Sequence, residues 1–130
     1  MNIAIVTGAS SGMGREFVLQ LSQYVKVDEI WAIARRGDAL ESLKKEVNVP
    51  VRPISLDLCE KSSFDTMAKL LEEEKPDVKL LVNAAGFGKF GAYHKVSLED
   101  ESRMIDLNCK AVVLLTRLVL PYMEKGSHIL

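Results

Sequence analysis

Short apolar segments alternate along this chain with segments in which apolar residues recur every three or four positions. The apolar segments span residues 3–7, 29–34, 51–56, 78–82 and 127–130. Because they lack the strict alternation of polar and apolar residues found in a half-exposed strand, they are typical of strands covered on both faces inside a parallel sheet. The last segment is very short, so the pattern predicts four strands and a possible stub of a fifth.

Helical spacing follows each of the first four predicted strands. The first three helices have their apolar faces at Met13, Phe17, Val18 and Leu21, at Leu40, Leu43 and Val47, and at Phe64, Met67, Ala68 and Leu71. Residues with capping side chains precede three of the four helices: Ser10 and Ser11, then Asp38, and finally Ser97. The fourth helix continues to about Lys125, with Pro121 marking a kink or its last turns.

This order of elements predicts an α/β fold with a Rossmann-like, doubly wound parallel sheet. Right-handed crossovers give the strand order 3-2-1-4, with any fifth strand beside the fourth. Pro53 lacks an amide hydrogen, which suits the third strand to a sheet edge. Since no linker or repeat interrupts the pattern, we expect residues 1–130 to form a single Rossmann-like domain, incomplete at its carboxyl end.

A glycine-rich loop, TGASSGMG, lies between the first strand and the first helix. A dinucleotide pyrophosphate needs a tight turn, free backbone amides and the positive end of a helix, and glycines in this position provide all three. We therefore expect this loop to bind a nucleotide cofactor through Gly8, Ser10, Ser11, Gly12, Met13 and Gly14. A glycine turn with a purely structural role is the alternative.

Two arginines, Arg35 and Arg36, follow the second strand, where an NAD site normally has an acidic residue for the adenosine ribose. A guanidinium can form paired hydrogen bonds with a 2′-phosphate, which a carboxylate would repel. The arginines therefore predict NADP(H), with Arg35 the better candidate because it directly follows the strand. Two solvated arginines at the start of a loop are the alternative.

Four features together resemble the classical branch of the short-chain dehydrogenase/reductase family: TGASSGMG, Leu56-Asp57-Leu58, Asn83-Ala84-Ala85-Gly86 and Asn108. They occur in the family's order and spacing, although Ala84 replaces the second asparagine of the usual Asn-Asn-Ala-Gly. The resemblance implies that Asp57 contacts the adenine, with Leu58 beside it in the cofactor site. It also implies that residues 83–86 adjoin the ribose region and that Asn108 belongs to the catalytic tetrad. For Asp57, capping of the next helix is the alternative role.

The other catalytic residues of the family have no counterpart in the 130 residues. The resemblance implies hydride transfer between NADP(H) and a small-molecule carbonyl or alcohol, catalysed by a serine and a Tyr-x-x-x-Lys pair, but no tyrosine here has a lysine four positions later. We therefore interpret the chain as a truncated amino-terminal half of such an enzyme, inactive by itself. The alternatives are a non-catalytic NADP(H)-binding module and an interaction protein that has lost nucleotide binding.

Composition narrows the possible partners. The net charge of -1 gives no overall field to attract nucleic acid. Neither the two cysteines nor the two histidines have partners at ligand spacing, so we expect no metal site. With no signal peptide or membrane-length apolar segment, we expect a cytoplasmic protein. Residues 111–120 are apolar nearly all round, which predicts burial on more than one side, and uncovered parts of this helix predict self-association.

Overall fold

Five parallel strands form one sheet in the order β3-β2-β1-β4-β5 in a computed structural model that describes all 130 residues. The strands are β1 (Asn2–Thr7), β2 (Glu29–Ala34), β3 (Val51–Ser55), β4 (Asp77–Val82) and the two-residue β5 (His128–Ile129). The predicted fold class, strand order and short fifth strand are confirmed. Pro53 lies on β3, at the edge of the sheet, as its missing amide hydrogen predicts.

Helices cover both faces of the sheet, and a separate apolar core lies on each side. The helices are α1 (Gly12–Gln20), α2 (Gly37–Leu43), α3 (Lys61–Glu74), α4 (Leu98–Ile105) and α5 (Ala111–Val119). Side chains of α3 and α5 pack with Ile3, Ile5 and Trp31 on one face. Side chains of α1 and α2 pack with Ala4, Val6 and Ile30 on the other face. Alternate residues of one strand therefore supply opposite cores, which explains why the strands are apolar throughout.

Two apolar side chains of α1 lie outside the core, contrary to the sequence prediction. Val18 and Leu21 are buried, but Met13 is 75% exposed and Phe17 is 37% exposed. Both line an open groove of about 870 Å³ that also contacts Leu80 and Leu130 near the β5 edge. The apolar face of α1 is therefore wider than the strip of sheet on which it lies.

Two helix starts and one helix end also differ from the prediction. Helix α2 follows Arg36 rather than Asp38, and Asp38 lies in its first turn, where a carboxylate favours the helix dipole. Ser11 precedes α1 but its side chain makes no capping bond. Helix α2 ends at Leu43 and tightens through bonds such as Glu46 N–H to the Leu43 carbonyl. Val47 nevertheless packs against the core on that face.

The long helical segment after β4 is continuous but not regular. Ser97 caps α4 as predicted, because its hydroxyl accepts from the backbone N–H of Asp100 at 3.1 Å. A π-helical turn at Asp106–Lys110 joins α4 to α5, and a short 3-10 turn at Leu120–Tyr122 contains Pro121. The helical segment ends with this turn, short of the predicted end near Lys125. Only one face of α5 is fully buried, at Ala111, Leu115 and Val119, so the expected burial on more than one side is wrong for this chain. None of the helices combines the length and apolar character needed to cross a membrane.

Candidate functional site

The ends of the two central strands are tied together by one hydroxyl group. Thr7 ends β1 and is buried, and its Oγ1 accepts from the backbone N–H groups of Ala84 at 3.1 Å and Ala85 at 3.0 Å. The same hydroxyl donates to the Val82 carbonyl at 3.4 Å. Because β1 and β4 are neighbours, this contact brings both predicted loops, TGASSGMG and residues 83–86, to the carboxyl edge of the sheet.

Two glycines of the first loop lie where no side chain fits. Gly8 has φ +64°, and a Cβ there would lie 2.8 Å from the Ala84 carbonyl oxygen and the Ala85 nitrogen. A Cβ on Gly14 would overlap the Gly8 carbonyl. The first turn of α1 therefore packs directly on the loop backbone, and the loop packs directly on the second loop.

The amino end of α1 opens towards solvent. Gly12 has φ +58°, and a Cβ there would meet no atom within 4 Å. Since Ser11 makes no side-chain cap, the first-turn amides of α1 are not satisfied by that side chain. Free amides and the positive end of a helix dipole are the features that bind an anion such as a pyrophosphate.

A cleft of about 430 Å³ lies in front of these loops. The predicted residues that line it are Gly8, Ser10, Ser11, Gly12, Met13, Arg35, Asp57, Leu58, Ala84, Ala85 and Gly86. Gly14 lies beneath the loop, buried, and supports it rather than lining the cleft. The structure therefore brings together residues that are separated by up to about 80 positions in the sequence.

Asp57 lines the cleft and also organises the loop that precedes α3, although its side chain does not cap that helix. Its Oδ1 accepts from the Cys59 N–H at 2.9 Å, and its carbonyl accepts from the Ser63 hydroxyl. Leu58 beside it is buried. Burial raises the pKa of the nearby Cys59 thiol, an effect that the positive charge of Arg103 partly offsets.

The two predicted arginines border a second hollow next to the cleft. This hollow, of about 490 Å³, is lined by Ser10, Ser11, Arg35 and Arg36, and we call it the arginine hollow. No acidic side chain lines it. The Ser55 hydroxyl donates to the Arg35 carbonyl at 2.8 Å and so fixes the turn from which the Arg35 side chain leaves. Two hydroxyls and two guanidinium groups form a donor set suited to a phosphate.

Asn108 lies in the π-helical turn and holds the loop that follows β4. Its Oδ1 accepts from the Phe87 N–H at 3.0 Å and its Nδ2 donates to the Phe87 carbonyl at 2.8 Å. The side chain is exposed rather than buried, so its polarity is explained by these two partners and by water. Gly86 leaves room for this side chain, because a Cβ there would lie 2.7 Å from Asn108 Oδ1 and would displace it.

Asn83 differs from its predicted position. It does not line the cleft, since its Nδ2 donates to the Thr116 hydroxyl on α5 at 3.3 Å and its N–H donates to the Leu130 carbonyl. Sequence reasoning placed Thr7 in the glycine-rich loop but gave its hydroxyl no role, although a polar side chain at the end of an apolar strand was the available signal. It further missed a cleft wall formed by Asp100, Arg103 and Leu107, which no motif marks.

The geometry matches the family that the motifs resemble, and comparison with known proteins decides the question. A family model described as short chain dehydrogenase matches residues 2–129. The chain belongs to the short-chain dehydrogenase family. An uncharacterized oxidoreductase of Staphylococcus epidermidis is 32% identical over 125 residues, which are 96% of this chain and 54% of that protein. The NADP-dependent 3-hydroxy acid dehydrogenase of Escherichia coli K12 is 34% identical over 131 residues, covering 97% of this chain and 50% of that protein.

Solved structures of the family have the same fold. A short-chain dehydrogenase from Sphingobium yanoikuyae in complex with NADPH superposes with a TM-score of 0.80 at 26% identity, covering 93% of this chain and 48% of that one. A metagenomic short-chain oxidoreductase in complex with NADP superposes with a TM-score of 0.82 at 27% identity, covering 93% and 56%. The present chain thus spans about half the length of these relatives.

Proposed function

We propose that this chain is the NADP(H)-binding portion of a short-chain oxidoreductase. Residues 8–14 would hold the pyrophosphate at the amino end of α1, and Asp57 with Leu58 would contact the adenine. Residues 84–86 adjoin the neighbouring ribose region, while Asn83 supports that loop from behind. When bound, a nicotinamide cofactor supplies or accepts a hydride at the carbonyl or alcohol carbon of a small-molecule substrate.

The arginine hollow is the observation that carries the choice of NADP(H). It borders the cleft through the shared residues Ser10, Ser11 and Arg35, so one dinucleotide could reach both. A ribose 2′-phosphate is a doubly charged group, and desolvating it is costly unless cationic and hydroxyl donors surround it. The relatives described as NADP-dependent or solved with NADP or NADPH support the same choice.

The substitution Arg35→Asp tests this assignment. Charge-assisted hydrogen bonds are worth enough that their loss should weaken NADPH binding about tenfold to a hundredfold, while NADH binding is spared or improved. Titration of the purified chain with each nucleotide, followed by calorimetry, measures both affinities. Arg117→Asp, which makes the same charge change at an exposed position of α5, is the matched control and should leave the ratio unchanged. Equal losses for both nucleotides in Arg35→Asp would contradict the role of Arg35.

Turnover needs groups that these 130 residues do not contain. No tyrosine of the chain is followed by lysine four positions later, so no residues here are candidates for the Tyr-x-x-x-Lys pair that the family resemblance implies for proton transfer. Asn108 would act by holding the loop at Phe87 rather than by exchanging a proton itself. We expect the chain alone to bind NADPH without oxidising it in the presence of carbonyl compounds, as monitored by nicotinamide absorbance; NADPH oxidation by the purified chain would contradict this.

A further inference from the structure

One wall of the cleft comes from a helix that no sequence motif marks. Asp100 and Arg103 of α4 and Leu107 of the π-helical turn line the cleft. Their spacing of three and four residues brings them to one face of the helix. Asp57 and Leu58, which follow β3, line the same cleft. The adenine end of the proposed site therefore has two walls, and a charged residue stands on each.

The charged residues on the two walls approach each other. Arg103 Nη2 lies 3.7 Å from Asp57 Oδ2, and both side chains are about 30% exposed. The other carboxylate oxygen, Oδ1, already accepts from the Cys59 N–H at 2.9 Å. At 3.7 Å the contact with Arg103 is electrostatic rather than a full hydrogen bond, so Oδ2 keeps the capacity to accept a further donor.

We propose that Arg103 is a positioning residue that holds the Asp57 carboxylate in the orientation in which Oδ2 accepts from the exocyclic amine of a 6-aminopurine. With Cys59 N–H on one oxygen and the guanidinium beside the other, rotation of the carboxylate is restricted from both sides. A 6-oxopurine presents an oxygen at the same position, and that oxygen would face the carboxylate oxygen without a hydrogen between them. Arg103 therefore sharpens the selection of adenine over hypoxanthine. This inference rests on the proposed function.

A purely structural role for Arg103 predicts a different result. If Arg103 only ties α4 to the loop after β3, its removal would weaken binding of every nucleotide equally. If it acts through Asp57, its removal changes the ratio of affinities for two nucleotides that differ only at the purine 6-position. The ratio is thus the informative measurement, because a general loss of stability cancels from it.

The experiment titrates the chain with NADPH and with its hypoxanthine analogue, the 6-oxopurine form of the same reduced dinucleotide phosphate. We expect the unmodified chain to prefer NADPH about tenfold or more, since the mismatched oxygen leaves a charged acceptor unpaired. Arg103→Ala should reduce this preference about threefold to fivefold, the range of a partly exposed ion pair. Arg103→Lys should restore part of it, because the ammonium keeps the charge but not the planar geometry.

A double-mutant cycle shows whether Arg103 acts through Asp57. In an Asp57→Asn background, adding Arg103→Ala should leave the preference unchanged, since the group that Arg103 orients is gone. Arg117→Ala, at an exposed position of α5, is the control and should leave both affinities unchanged.

The titrations distinguish a failure of this inference from a failure of the proposed function. An unchanged preference in Arg103→Ala, or additive effects in the cycle, overturns the inference while leaving NADPH binding and the role of Arg35 intact. Absence of NADPH binding to the unmodified chain, measured by the same titration, overturns the proposed function and the inference together.

Discussion

Thr7 joins the two loops of the site through its single hydroxyl group. It is the shared acceptor for the Ala84 and Ala85 N–H groups, so Thr7→Val leaves two amides at the junction of β1 and β4 without their partner. An unsatisfied polar group in a part-buried position costs roughly 1–3 kcal/mol, and we expect a loss of about 2 kcal/mol in the free energy of unfolding. Urea denaturation measures this loss. Thr7→Ser keeps the hydroxyl and should cost about 1 kcal/mol, the value of one methyl group; equal losses in both variants would show that the methyl group, not the hydroxyl, matters.

The glycines of the first loop are required for two different reasons, which substitution separates. Gly14→Ala adds a Cβ that overlaps the Gly8 carbonyl, and because the obstacle is backbone we expect a loss of about 3 kcal/mol. Gly12→Ala meets open space and only the strain of a left-handed backbone, so we expect a loss of about 1 kcal/mol. Denaturant titration of both variants gives the comparison. A Gly14→Ala chain as stable as the Gly12→Ala chain would contradict the close packing of α1 on the loop.

At the scale of single elements, Asn108 links an irregular helix to the loop after β4. Asn108→Ala removes both hydrogen bonds to Phe87, and each such bond contributes about 1 kcal/mol. We expect the Phe87 amide to exchange its hydrogen about tenfold faster, as measured by NMR-detected hydrogen exchange. Asn108→Asp keeps the oxygen that accepts from the Phe87 N–H but replaces the donor to the Phe87 carbonyl by a second acceptor, so it should recover only part of the protection. Unchanged exchange in Asn108→Ala would mean that the loop is held by other contacts.

Sequence periodicity located the strands and the first three helices, and it predicted as one helix the segment that forms α4 and α5. It did not report how far each helix is covered. Two buried pairs lie where the spacing predicts: Val18 of α1 with Leu21 directly after that helix, and Leu40 with Leu43 in α2. Met13 has the same spacing and is nonetheless exposed, because burial depends on what lies opposite the helix, which spacing does not report. The end of α2 likewise depends on a competition between bond types at Leu43 that residue preferences do not decide.

The candidate site was likewise predicted only in part. Glycine spacing and the residues after each strand predicted most of the cleft, since the carboxyl ends of parallel strands meet at one edge. Arg103 could not be predicted, because its approach to Asp57 follows from the path of α4, which residue spacing does not report. Asn83 carried a family motif but has its side chain on Thr116, and only the path of α5 reveals that partner.

The whole molecule exposes a row of apolar side chains along α4, α5 and the 3-10 turn that follows α5. The row consists of Leu98, Ile105, Val113 and Leu120, all more than half exposed. Seven residues make about two helical turns, so positions 98 and 105 share a face, as do 113 and 120. The eight-residue step from Ile105 to Val113 contains the π-helical turn, whose extra residue keeps the row in line. Exposed apolar side chains on one face of a helical segment favour association.

We propose that this chain self-associates through that row, and sedimentation velocity at micromolar concentration tests it. We expect the unmodified chain to sediment faster than a 14.4 kDa monomer. Val113→Asp should shift the boundary to the monomer with little change in stability, because the position is exposed. Tyr24→Asp introduces the same charge at an exposed aromatic residue near α1, on the other face of the sheet, and should leave association unchanged. A monomeric unmodified chain would refute self-association, while dissociation by Tyr24→Asp alone would move the contact to the groove beside α1.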